Sequence, residues 1–95
     1  MKERLECRIT GRVQLVMFRD FTQRKASALG LGGTVENKRD GSVVVVAEGE
    51  HSKLEQLLLL LRSGSILSRV DNVEAKWLDA TGEFSDFKIV YYGNE

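Results

Sequence analysis

Two arginines and one asparagine are the residues of this chain best suited to chemistry. Arg12 and Arg19 bracket the stretch Gly11-Arg12-Val13-Gln14-Leu15-Val16-Met17-Phe18-Arg19, which has no acidic residue before Asp20. A strand-like segment runs into it and a helix-like segment runs out. Between Gly11 and Phe18 no Ser, Thr, Asp or Asn is available to accept hydrogen bonds from the first free amides of that helix. Those N–H groups lie at the positive end of the helix dipole, where an anion, commonly phosphate, satisfies them. Arg19, in the first turn, opposes the dipole unless an anion is bound, and then it helps neutralise the charge. The plain alternative is a strand–loop–helix scaffold that happens to carry an arginine.

Asn37 is the second candidate. It shares the parity of Val35 on a strand-like segment, so its amide points toward the buried face, where a polar group needs partners. One account is a hydrogen bond to loop backbone near the following turn. The other has the side chain reach the start of the first helix and hold a water or a ligand. His51 and Cys7 offer less. His51 precedes a helix far from this loop and reads as a surface residue, while Cys7 has the parity of Leu5 and Ile9 and reads as a buried structural thiol.

The elements that must position these groups follow from periodicity. Residues 5–10 alternate as a strand with one buried face. Phe18, Thr22, Ala26 and Leu29 recur at helical spacing, and Leu-Gly-Leu-Gly-Gly at 29–33 stops the helix. A strand over 34–38 leads into Arg39-Asp40-Gly41-Ser42, a hairpin signal that calls for positive φ. The apolar run 43–47 suits a central strand with neighbours on both sides. Ser-Lys-Leu-Glu at 52–55 reads as a capping box opening a second helix, with Leu54, Leu57, Leu58 and Leu61 as its buried stripe. Strands over 70–78 and 84–91 complete the order. The result is an α+β fold, a ferredoxin-like α/β sandwich of βαββαβ order plus a short final strand, whose antiparallel-rich sheet carries both helices on one face.

Bulk properties set limits. The 95 residues suffice for a single domain, and fourteen basic against fourteen acidic residues argue against a dedicated nucleic-acid binder. No apolar run approaches membrane-spanning length. Residues 1–4 lead straight into charge and alternation rather than a secretory apolar stretch, and the lone cysteine fits a reducing compartment, so a cytoplasmic location is expected.

Residues 11–49 resemble the acylphosphatase family, whose signature runs Gly-x-Val-Gln-Gly-Val-x-Phe-Arg, then Gly-x-Val-x-Asn-x-x-Asp-Gly-x-Val. The match is ungapped, and the remaining elements follow in the family's order. The resemblance implies hydrolysis of the carboxyl–phosphate bond of acyl phosphates without metal or cofactor. It makes Arg19 and Asn37 the catalytic residues and residues 12–18 (Arg12, Val13, Gln14, Leu15, Val16, Met17, Phe18) a cradle that, with Arg19, binds the substrate's phosphate. Inorganic phosphate or sulfate would occupy the same site, and a monomer is the expected state. Leu15 departs from the family's usual glycine, narrowing the mouth of the loop or straining it while keeping the backbone amide.

Two rival functions are compatible with these residues. A non-catalytic domain of the same family would bind phosphate or a protein partner, with Leu15 as its best support. An RNA-binding module of the same topology needs aromatics on its central strands, and neither 5–10 nor 43–47 contains one.

Overall fold

In the computed structural model, which describes residues 2–14 and 17–91, the elements are β1 (Lys2–Arg12), α1 (Phe18–Ala28), β2 (Gly32–Asn37), β3 (Val43–Glu50), α2 (His51–Ser63), β4 (Arg69–Asp79) and β5 (Phe87–Val90). They form one five-stranded sheet in the order β4-β1-β3-β2-β5. β1 runs antiparallel to both β3 and β4, β2 runs antiparallel to β3, and only β5 lies parallel to its neighbour β2. This is the expected βαββαβ order with the short final strand, and β3 takes the central place that its valine run required.

Alternation decides the two faces. Leu5, Cys7 and Ile9 of β1, Val35 of β2, and Val43, Val45 and Ala47 of β3 are all buried under the helices. Phe18, Thr22 and Ala26 of α1 and Leu54, Leu57 and Leu61 of α2 cover them. Each fully buried leucine contributes about 1.5–3 kcal/mol through removal from water. Val44 and Val46 are only half-buried, on the open face beside Glu6 and Arg8, with no aromatic among them. Burial also pushes the Cys7 thiol up to about 12, consistent with a packing role.

The stop of α1 is a Schellman motif. The Leu31 N–H donates to the Ala26 carbonyl at 3.0 Å, and the Gly30 N–H donates to Ser27 at 3.0 Å. The start of α2 corrects the sequence reading. No capping box forms at 52–55: Glu50 is the N-cap, without a side-chain cap hydrogen bond, and His51 is already helical. The reason is that β3 outruns its apolar stretch. Gly49 and Glu50 still pair with Glu3 and Lys2, which moves the helix start two residues toward the N-terminus. The last strand is shorter than 84–91, because Phe84 leaves the ladder to lie under the Arg4 guanidinium, 5.6 Å from its ring centroid. Among the described residues, no helix is long and apolar enough to cross a membrane.

Candidate active site

The loop of interest begins with a glycine that nothing else can replace. At the end of β1 the pairing with β4 shifts register between Thr10 and Gly11. Gly11 takes φ 129°, and a Cβ there would run into the Arg69 carbonyl oxygen. This bulge turns the chain out of the sheet toward α1. Val13 then anchors the loop in the core, while Arg12 stands exposed at the strand end.

Gln14 ties the loop to the β2–β3 hairpin. Its amide nitrogen donates to the carbonyl oxygens of Lys38 and Ser42, each at 2.8 Å. Those two residues close the turn itself, since the Lys38 N–H donates to the Ser42 carbonyl at 2.8 Å. Gly41 takes φ 95° at the tip, the positive φ that the Asp-Gly pair called for. Asp40 completes the turn by accepting from the Ser42 hydroxyl at 2.6 Å, the Ser42 N–H at 2.9 Å and Arg8 at 2.7 Å. The Ser42 hydroxyl first, then Arg8 and the Ser42 N–H, hold the Asp40 carboxyl well below the usual carboxylate range.

On the helix side, Met17 is the N-cap, with φ 60° and ψ 25° and no side-chain cap hydrogen bond, so α1 does open without a capping side chain. A non-glycine residue in the left-handed region is uncommon and concentrates at functional loops. Phe18 is buried and fixes the first turn, leaving Arg19 beside it half-buried. The Arg19 guanidinium lies over the ring of Tyr91, 4.9 Å from its centroid. Val13, Met17, Arg19, Ile89 and Tyr91 are among the walls of a depression of about 440 Å³ at the mouth of the helix. A larger one of about 610 Å³, at the far end of the sheet around Gly30, Gly49 and Phe84, holds none of the expected site residues.

Asn37 ends β2 immediately before Lys38. Its side chain is buried against the helix-covered face as parity required, and its Oδ1 has no hydrogen-bond partner among the described residues. The Thr22 hydroxyl, one turn beyond Phe18 on α1, is buried without a partner in the same sense. Polar atoms in that condition normally meet a water or a ligand.

Leu15 and Val16 lie outside the described residues. The structure therefore brings Val13, Gln14, Met17, Phe18 and Arg19 to one loop and links that loop to the hairpin carrying Asn37. Gln14 spends its side chain on that link, leaving only its backbone for an anion. The position of Tyr91 against Arg19 has no signal in the sequence beyond an aromatic two residues past Ile89. His51 is remote, at the other end of the eight-residue β3, about 23 Å along the strand. It touches Glu3 at 3.1 Å and Glu55 at 3.3 Å and stacks on Trp77 at 4.6 Å.

Comparison with known proteins identifies the family and the fold. The acylphosphatase family model matches residues 5–89. An acylphosphatase of Caldanaerobacter subterraneus is 45% identical over 89 residues, covering 94% of this chain and 99% of that protein. One from Paenarthrobacter aurescens is 51% identical over 87 residues, covering 92% and 93% respectively. Among solved structures, the crystal structure of acylphosphatase from Bacillus subtilis superposes with a TM-score of 0.90 at 33% identity, covering 96% of this chain and 100% of that one.

Proposed function

The chain belongs to the acylphosphatase family and hydrolyses the carboxyl–phosphate bond of acyl phosphates, and on that premise we propose that Arg19 and Asn37 carry the reaction. The backbone amides of residues 12–18 and the Arg19 guanidinium bind the phosphoryl oxygens. Asn37 orients a water for attack on phosphorus. As the new P–O bond forms, the bond to the acyl oxygen breaks and the carboxylate leaves with the electron pair. The water's proton passes to a phosphate oxygen, giving carboxylate and inorganic phosphate.

No general base is needed for this. A carboxylate is a good leaving group, and the loose transition state spreads charge over the equatorial oxygens, where fixed donors stabilise it. Positioning the water supplies the rest. The observation that carries the assignment is the Gln14 bridge. Its two bonds of 2.8 Å hold the loop that leads to Arg19 against the hairpin that presents Asn37.

Metal independence, a cytoplasmic setting and a monomeric state belong to the same proposal. The free, buried Cys7 thiol supports the second. Hydrolysis of benzoyl phosphate in EDTA tests the reading, with Arg19→Ala and Asn37→Ala alongside. Wild-type turnover persists in the chelator, and Arg19→Ala loses a factor of about a thousand or more in kcat/KM, as expected for a charged transition-state donor. A folded Arg19→Ala protein of undiminished activity would refute the assignment.

A further inference from the structure

Met17, Ile66 and Leu67 are large apolar side chains left 71%, 100% and 67% exposed, and they share one corner of the molecule. With Phe21 and Lys25 they line a cleft of about 370 Å³ between α1 and the 64–67 segment that follows α2. Nothing in the core requires Ile66 or Leu67, and a polar connection would close the fold equally well. Met17 is also a wall of the depression that holds Arg19 and Tyr91, so its side chain stands between the two cavities.

An acyl phosphate has two halves, and the loop accounts for one. In-line displacement puts the leaving carboxylate opposite the attacking water. Asn37 delivers that water from the sheet side, so the acyl group departs on the side away from the sheet. There, at the start of α1, stands the exposed Met17. Resting on the assignment of Arg19 and Asn37 above, we infer that the cleft beyond Met17 is the acyl subsite and that it receives an apolar, aromatic acyl group.

The size fits: an apolar cavity of roughly 150 Å³ is enough for a benzene ring, and this cleft exceeds it. The methionine thioether adapts to a ring edge, and Ile66 and Leu67 supply aliphatic contact. Arg24, held by Asp20 at 2.9 Å, and Lys25, 5.9 Å from the Phe21 centroid, stand at the rim and disfavour a cationic acyl group.

The test compares kcat/KM for benzoyl phosphate and acetyl phosphate in the wild type, Ile66→Ser and Leu67→Ser. Both side chains are exposed, so the variants keep the fold, which a thermal melt verifies. The benzoyl-to-acetyl ratio falls about fivefold in each variant, through KM, because a phenyl ring reaches the cleft and a methyl group does not. A ratio that stays within about twofold of the wild type in both variants overturns the subsite. So does an unmoved ratio accompanied by a changed sedimentation coefficient, which would assign the patch to a second copy of the chain. An Arg19→Ala protein that still turns over would remove the premise, and a dead Arg19→Ala beside an unmoved ratio removes the subsite alone.

Discussion

The Arg19 guanidinium rests on the face of Tyr91, 4.9 Å from the ring centroid, joining the first turn of α1 to the end of β5. The contact restricts the arginine's rotamers while leaving its N–H donors free in the plane of the fork. At a partly exposed site such a contact is worth about 0.5–1 kcal/mol. Tyr91→Leu therefore lowers kcat/KM by roughly three- to fivefold, and Tyr91→Phe, which keeps the ring, stays near wild type. Steady-state kinetics on the two variants check this.

Gln14 separates positioning from binding. Gln14→Glu is nearly isosteric, but a carboxylate cannot donate to the Lys38 and Ser42 carbonyls that the amide now serves. The variant loses about tenfold or more in kcat/KM, as the loop and the Asn37 hairpin lose register. Arg19→Ala should then cost less in the Gln14→Glu background than in the wild type, and a double-mutant cycle measures that coupling.

Acid weakens the fold through two carboxylates of different kinds. Burial pushes Glu48 up, but the Thr81 and Gly82 N–H groups, Arg4 and the Thr81 hydroxyl outweigh it, and the net shift is downward. Asp40 is also lowered, by Ser42 and Arg8. A carboxylate whose folded value is depressed contributes stability above its unfolded value, about 4, and that stability is lost as pH falls toward the folded value. Urea midpoints therefore decline below about pH 4.5, and Glu48→Gln, weaker at pH 7 by about 2–4 kcal/mol, shows a flatter decline.

His51 titrates where the single tryptophan reports it. Its hydrogen bond to Glu3 is the main cause that raises it above 6.5, with Glu55 adding to the effect, and its ring stacks on Trp77 at 4.6 Å. The stabilisation it provides is present below the unfolded value and lost as pH rises through the folded one. Trp77 emission should follow a titration with a midpoint above 6.5 that disappears in His51→Gln. Because His51 is remote from Arg19, kcat/KM shows no matching inflection.

Periodicity and turn chemistry carried most of the fold. Parity alone puts Asn37 and Cys7 inside, and Asp40-Gly41 locates the hairpin from local turn chemistry without any tertiary contact. The missing cap of α1 was equally readable, since it is an absence of residue types. The α2 start was not: Ser52 offers a good local cap, but the pairing of Glu50 with Lys2 is a tertiary term that local capping energy does not outweigh. The Arg19–Tyr91 and Gln14–hairpin contacts escaped for a related reason. They join residues 72 and 24 or more positions apart, and no spacing rule reaches across a sheet. Cation–π and side-chain-to-carbonyl contacts leave no periodic trace in a chain.

The placement of β1 sets how fast this protein reaches its working form. β1 lies between β3 and β4, with Glu3 opposite Asp79. The first strand made thus waits for one of the last before it is flanked on both sides. Closing so long a loop costs entropy before any contact repays it, so the rate of folding is expected to be slow for a domain of this size. The Gly11 bulge, which aims the Arg19 loop, exists only against β4. Recovery of activity on refolding should therefore coincide with the final docking of β4, and enzymatic turnover becomes a clock for the completed sheet.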